Sequence, residues 1–410
     1  MTRSYRNSDP ALPIMQGCPV PARWRVPPLD WDGPPWNRWA FQHVRELVTT
    51  VDVPRGDNVW NMPSATGDFD AVAFTANRRR PSTWAKMLND TYTDAALIWL
   101  DGKVIVETYC NGMAAPTPHI AYSVTKSIVS TTAGTLIGDG LLDPAAPVTD
   151  YLPELVTTGW RGATIQQVMD MASGVVFDET YGAPNAHIFM LDVAANFKPP
   201  SPHMDPDKVP ACIWDLILTL TETEAEHGAR FSYRSIETDV LGYAMERAAG
   251  KPLHQLVSER LWAPMGAEEN GYFTVDRAGF ALADGGMNAT LRDFARFGRL
   301  LLEDGNRDGH QIVPKAWIDD IRAGDHGLFD DHGRDAFPNG RYRNQFWIPD
   351  RNKPAHLCLG IFGQHIYVDP DRGLVAVKLS SWPDFLSDDH WTLDWLAAVD
   401  AVVAAHTAGG

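Results

Sequence analysis

The chain has 410 residues, 44% of them apolar and 21% charged, and a formal net charge of −17 at pH 7. That length supports one large or two ordinary domains with a real core. The acidic balance excludes non-specific binding to nucleic acid or to anionic membrane, and it suits a neutral or cationic small substrate. Cys18, Cys110, Cys212 and Cys358 are far apart and form no C-x-x-C, which argues for a reducing compartment and against a disulfide framework or a zinc knuckle. Met1 to Met15 is polar and has no apolar stretch of the secretory kind, and no 18-residue apolar run follows, so the expectation is a cytoplasmic protein with no membrane partner.

Residues 1–37 carry Pro27-Pro28 and Pro34-Pro35 among Trp24, Trp31 and Trp36, and read as an extended arm anchored by aromatics. Asn37 is placed to cap a helix over 38–49, with Trp39, Phe41, Val44 and Leu47 on one face. The run Arg78-Arg79-Arg80 reads as a solvated loop rather than an anion site. Short apolar runs at 95–100 and 104–109 flank Asp101-Gly102-Lys103, a hairpin signal. Val124, Ile128, Val129, Ala133, Leu136 and Ile137 recur at helical spacing until Gly138 and Gly140, which predicts a buried helix.

Helices are then expected at 164–171, 213–221, 236–249 and 253–261, with a long irregular loop over 177–202. After residue 271 strands return. Helices are expected at 291–303 and 316–322, a polar loop at 323–344, and an amphipathic closing helix at 391–405. Residues 357–368 and 374–379 flank Asp369-Pro370-Asp371-Arg372-Gly373, a second hairpin signal. Strands early and late with helices between predict an α/β (α+β) protein. The predicted units are an arm and helix at 1–89, a discontinuous sheet domain at 90–142 and 272–410, and a helical domain at 143–271.

The chemistry-bearing residues begin with Ser123-Val124-Thr125-Lys126 at the start of the helix predicted from 124. A hydroxyl and an amine one turn apart share a face. Lysine can deprotonate the serine only if burial or a neighbouring cation lowers its pKa, and a helix N-terminus helps in that direction. S-x-x-K recurs by chance, so it needs company. Tyr233 precedes the helix expected from 236 and is either a proton relay or a packed aromatic; Ser235 stands where an N-cap belongs. Glycines in Leu359-Gly360-Ile361-Phe362-Gly363 mark a close approach beside an oxyanion or a simple bulge. His119 precedes Ser123 by four residues with no evident acidic partner. Asp330, Asp331, His332 and Asp335 form a local cluster that reads as a solvated loop, or as the site of a metal-dependent hydrolase.

Ser123-Val124-Thr125-Lys126, Tyr233-Arg234-Ser235, Gly285-Gly286 with Thr290, and the Gly363 strand come in the order seen in the serine β-lactamase and penicillin-binding-protein superfamily. The chain resembles its class C and esterase branch. Within that branch, Asn37-Arg38-Trp39-Ala40-Phe41 and Val377-Lys378-Leu379-Ser380-Ser381-Trp382-Pro383-Asp384 resemble the nylon-oligomer hydrolases.

The resemblance implies a β-lactamase-like antiparallel sheet flanked by helices, with an inserted, mostly helical region. It implies Ser123 as nucleophile through an acyl-enzyme, Lys126 as base and Tyr233 as proton relay. The backbone N–H groups of Ser123 and Ile361 would form an oxyanion hole. Tyr181, Asp192 and Trp347 would bind substrate, Asp192 through a free ammonium. The expected substrates are linear amides of the 6-aminohexanoate type and short carboxylic esters, with no cofactor and no metal. A carboxylesterase without amidase activity and a penicillin-binding-like protein without turnover are the alternatives. Lys-Thr-Gly is absent, with Ile361-Phe362-Gly363 in its place, so little β-lactamase activity is expected. The arm and the tryptophans suggest a homodimer.

Overall fold

The computed structural model describes residues 5–202, 204–324, 329, 331–386 and 390–409. Its centre is a seven-stranded antiparallel sheet. The strands are β1 (Thr93–Leu100), β2 (Lys103–Tyr109), β3 (Arg341–Arg343), β4 (Phe346–Ile348), β5 (His356–Gly360), β6 (Gln364–Asp369) and β7 (Leu374–Ser380), in the order β3-β4-β5-β6-β7-β1-β2. The two ends of the chain therefore meet at the pairing of β7 with β1, where Val377 lies opposite Leu97.

Both faces of the sheet are covered, so alternate residues enter two cores. Ala95, Leu97 and Trp99 of β1 face the larger core, and Ala96, Ile98 and Leu100 face the smaller one. The larger core contains α1 (Val124–Gly138), α2 (Ile236–Ala249) and α3 (Leu291–Leu302). The smaller one is closed by α4 (Trp391–Gly409) through Trp395, Val399 and Val402. Among the described residues, no helix is long and apolar enough to cross a membrane.

Thirteen of the fifteen residues of α1 are buried, several of them polar, which the sequence permits because their hydroxyls are hydrogen-bonded, Thr125 Oγ1 accepting from Met287 N–H. Thr131 and Thr132 donate back to the carbonyls of Ser127 and Ile128, and Ser127 and Ser130 donate to the carbonyls of Gln345 and Asn344. The start of α1 is fixed by a second, four-stranded antiparallel sheet of Thr50–Val53, Gly271–Thr274, Met287–Ala289 and His119–Ile120. Ile120 N–H donates to Phe41 O and Ala121 N–H to Met287 O, so the backbone reaches Ser123 with little freedom.

Several expectations need correction. The helix expected at 38–49 is one turn, Asn37–Ala40, followed by a tight turn at Val44–Glu46. Asn37 is not its cap: its side chain donates to Trp382 O at 2.7 Å, and Arg38 reaches Tyr92 O, Asp94 and Ser381. These long-range bonds override local helical preference. The loop expected at 177–202 contains the helix His187–Ala194, whose apolar residues have no period because the helix is covered on most sides. The polar stretch 323–344 carries the helix Asp331–Ala336 and β3. The run 357–368 is not one strand. It breaks into β5 and β6 at Ile361-Phe362-Gly363, where Phe362 and Gly363 have φ of 60° and 88°.

Candidate active site

Ser123 is the last residue before α1 and follows Tyr122, whose φ of 45° is costly for a side chain of that size. This bend presents Ser123 at the helix N-terminus, where N–H groups lack intrahelical acceptors. One turn on, Lys126 is 1% exposed and its Nζ donates to three acceptors: Ser123 Oγ at 2.9 Å, Ser235 Oγ at 3.0 Å and Asp284 O at 2.9 Å. The Asp284 carboxylate stands 3.5 Å from the same nitrogen.

Tyr233 brings its ring centroid within 5.2 Å of Lys126 Nζ. Burial pushes its phenol pKa up, while the Lys126 ammonium and the Ser123 side chain pull it down; the net direction is upward. For Lys126, burial would lower the pKa, but Tyr233, Asp284 and Glu179 outweigh it and push it up to about 12. The condition for Lys126 to act as base, a lowered pKa, is opposed here by Tyr233, Asp284 and Glu179, and all three ammonium N–H groups are in use.

Ser235 is not a helix cap either. It makes no side-chain bond to the first turn of α2. Its hydroxyl donates to Glu179 Oε1 at 2.5 Å while its oxygen accepts from Lys126, and its N–H donates to Glu179 Oε2 at 2.9 Å. Glu179 also accepts from Tyr181 Oη at 2.9 Å. Burial pushes the Glu179 carboxyl up, against the pull of Lys126 and Ser235. Glu179 and Asp284 belong to no spacing motif, so the sequence offered no sign of them.

A cavity opens beside Ser123, lined by Asp32, Tyr122, Tyr181, Asp192, Ile361 and Phe385 among others. Ile361 sits on its rim at the end of β5, where Gly360 lies too close to Ala121 O for a Cβ atom (2.6 Å). Tyr181 stacks on Phe385 with centroids 5.6 Å apart. Asp192 has a side chain 28% exposed, and burial pushes its carboxyl up to about 7.

Trp347, expected as a pocket wall, stands behind Tyr233. It stacks on Tyr233 at 5.6 Å, within a cluster with Phe231, Phe329 and Tyr342. His119 does have an acidic partner: it is fully buried, with Nε2 3.1 Å from Asp94 Oδ2 and Nδ1 on Ile120 O. Asp94 also receives Arg38 and Ser381, so this pair ties the arm and β7 to the sheet away from the cavity. Asp330 and the side chains of Asp331 and His332 lie outside the described residues, and among the described residues no group of metal-ligating side chains is present.

A family model described as Beta-lactamase matches residues 84–399. The chain belongs to the beta-lactamase family. It is 35% identical over 387 residues, 92% of this chain and 95% of the relative, to the 6-aminohexanoate-dimer hydrolase of Paenarthrobacter ureafaciens. A solved structure from Bacillus anthracis, provisionally named a 6-aminohexanoate-dimer hydrolase, superposes with a TM-score of 0.84 at 30% identity. That match covers 95% of this chain and 99% of the other. A family VIII carboxylesterase shares the fold at a TM-score of 0.54 and 18% identity, over 75% of this chain and 92% of its own. The beta-lactamase-like fold, antiparallel sheet with flanking helices, is therefore the fold of this hydrolase family member.

Proposed function

We propose that this protein is a serine hydrolase that cleaves linear amides of the 6-aminohexanoate-oligomer type and short-chain carboxylic esters through an acyl-enzyme. The observation that carries this reading is Ser123 Oγ, hydrogen-bonded to the buried Lys126 at 2.9 Å at a helix N-terminus and opening on a cavity that contains Asp192. The likeness to the P. ureafaciens enzyme across nearly the whole chain supports it.

The roles follow from the charges. Lys126 remains an ammonium and holds Ser123 Oγ in place. Tyr233, whose phenol the ammonium pulls toward ionisation against the burial that raises its pKa, takes the serine proton in its ionised form as Oγ bonds to the carbonyl carbon. The N–H groups of Ser123 and Ile361 receive the oxyanion. The Tyr233 phenol then returns the proton to the leaving amine or alcohol as the C–N or C–O bond breaks. Water attacks the acyl-enzyme with Tyr233 again taking the proton, and free Ser123 is restored. Asp192 holds the ammonium end of an amino-acid-derived substrate, and no step requires a cofactor.

The test is a paired assay of 6-aminohexanoate dimer and p-nitrophenyl acetate with wild type and Ser123→Ala. Hydrolysis of both by wild type and of neither by the variant is expected. Turnover retained by Ser123→Ala overturns the serine mechanism. Ester hydrolysis alone by wild type overturns the amide half of the reading.

A further inference from the structure

Lys198 lies between Asp32 and Asp192, two carboxylates that line the cavity. Its Nζ is 2.6 Å from Asp32 Oδ2 and 3.6 Å from Asp192 Oδ2, so it pairs with both carboxylates and more closely with the first. Lys198 and Asp32 are each 8% exposed, whereas the Asp192 side chain, 28% exposed, faces the cavity. Asp32 comes from the N-terminal arm, far from Lys198 in sequence. The neighbouring pair on each strand of chain is joined as well: Trp31 Nε1 donates to Phe197 O at 2.9 Å, and Trp31 packs edge-on against Phe197 at 4.7 Å. The turn after the helix His187–Ala194 brings Lys198 back to Asp192, with Phe197 N–H and Lys198 N–H both donating to Asp192 O.

The charges do not cancel, since two carboxylates face one ammonium. Beside them, the Tyr122 hydroxyl is buried and has no hydrogen-bond partner among the described residues, and Asp32 and Asp192 both act on it. A buried cation free to choose would settle on both carboxylates and neutralise the cavity end. Here its shorter contact is to Asp32, which leaves Asp192 the more weakly paired of the two carboxylates.

We propose that Asp32 is a specificity-determining residue: by holding Lys198, the N-terminal arm keeps the Asp192 carboxylate available to a substrate ammonium. This rests on the hydrolase reading above, and it concerns only how that hydrolase selects substrates with a free amine.

The experiment compares 6-aminohexanoate dimer with p-nitrophenyl acetate in Asp32→Asn and in Asp32→Asn/Lys198→Met. In Asp32→Asn, Lys198 turns to Asp192 and cancels its charge. KM for the dimer is expected to rise about tenfold, with kcat little changed and ester kinetics unaltered. Removing the lysine as well restores the dimer KM to within about threefold of wild type when assayed at about pH 9, where Asp192 is ionised even without its cation and the substrate ammonium is still charged. Unchanged dimer KM in Asp32→Asn overturns the proposal. So does a raised KM that the double variant fails to restore, or a parallel loss of ester and amide turnover in both variants, which would make Asp32 a structural anchor of the arm. Failure of the hydrolase reading itself is distinguishable, because it appears in the wild-type protein and in Ser123→Ala.

Discussion

Replacing Ser235 by Ala tests how the charge of Lys126 is used. The variant removes one of the three acceptors of the ammonium, at 3.0 Å, and leaves Ser123 Oγ and Asp284 O in place. A hydrogen bond to a buried charged group is worth about 1.5–3 kcal/mol. The lost bond also frees Lys126 to shift away from Ser123 and Tyr233, so the loss falls on the transition state more than on bound substrate. The expected result is a fall in kcat of about 10- to 100-fold on p-nitrophenyl acetate, with KM nearly unchanged. Glu179 loses its 2.5 Å donor but keeps Ser235 N–H and Tyr181 Oη. Its carboxyl, already raised by burial, rises further. Folding is expected to survive, because Ser235 caps nothing in α2 with its side chain. Ser235→Thr, which keeps the hydroxyl, should recover most of the rate. Steady-state kinetics on the purified variants, with circular dichroism to confirm the fold, decide the matter. A folded Ser235→Ala variant with kcat within twofold of wild type would refute the reasoning.

Asp192 supplies a pH dependence. Burial raises its carboxyl to about 7, so it is ionised above that pH and neutral below it. A substrate ammonium of the lysine type titrates at about 10.4 and stays charged throughout. KM for 6-aminohexanoate dimer is therefore expected to rise by up to about tenfold per unit as pH falls below 7, while KM for a neutral ester stays flat; parallel profiles would contradict the role of Asp192. Gly363→Ala should be strongly destabilising, because φ is 88° and a Cβ there would overlap the Trp382 indole, which is 4% exposed. Backbone strain and overpacking together cost about 2–5 kcal/mol, read as a lower urea midpoint with an unchanged slope; a midpoint equal to wild type would show that the turn can relax.

The parts legible in the sequence are those whose information is local. The buried strand at 93–100 announces itself by apolar continuity and the Asp101-Gly102 turn, where φ values are 46° and 85°. Helix α2 follows its expected limits because its apolar face repeats regularly and Gly250, at φ 65°, ends it. Ser123 and Lys126 are a turn apart, so helical geometry alone brings them together. Non-local features escaped. Strands β3 and β4 have three residues each, too few for a period of two to register. Asp284, and Glu179 through Ser235, reach Lys126 only because a loop of the helical region and the connection between the strands Gly271–Thr274 and Met287–Ala289 converge on it. Trp347 carries an aromatic signal equally suited to a pocket wall and to stacking on Tyr233, and packing chose the second.

The same convergence explains why one buried lysine can be kept charged in a site that also needs a base. An unpaired ammonium in the interior would lose its proton, and the serine would then face a neutral amine. Here Asp284 and, through the Ser235 hydroxyl, Glu179 supply negative charge on two sides of Lys126, so the ammonium is the stable form. A saturated ammonium cannot accept a proton, but it lowers the cost of a phenolate beside it. Under the proposed function, a saturated ammonium leaves base action to Tyr233 rather than to the residue that the S-x-x-K spacing points to, and Tyr233 itself, with Asp284 and Glu179, holds Lys126 in that form. Under the proposed function, loss of either carboxylate should act on the acid–base step through Lys126, whereas changes at Asp192 or Asp32 should act on substrate choice. Two groups of acidic residues in one cavity are thus separated by what their counter-cations do. On these proposals, Lys126 serves the reacting serine, while Lys198 pairs more closely with Asp32 than with the carboxylate assigned to the substrate.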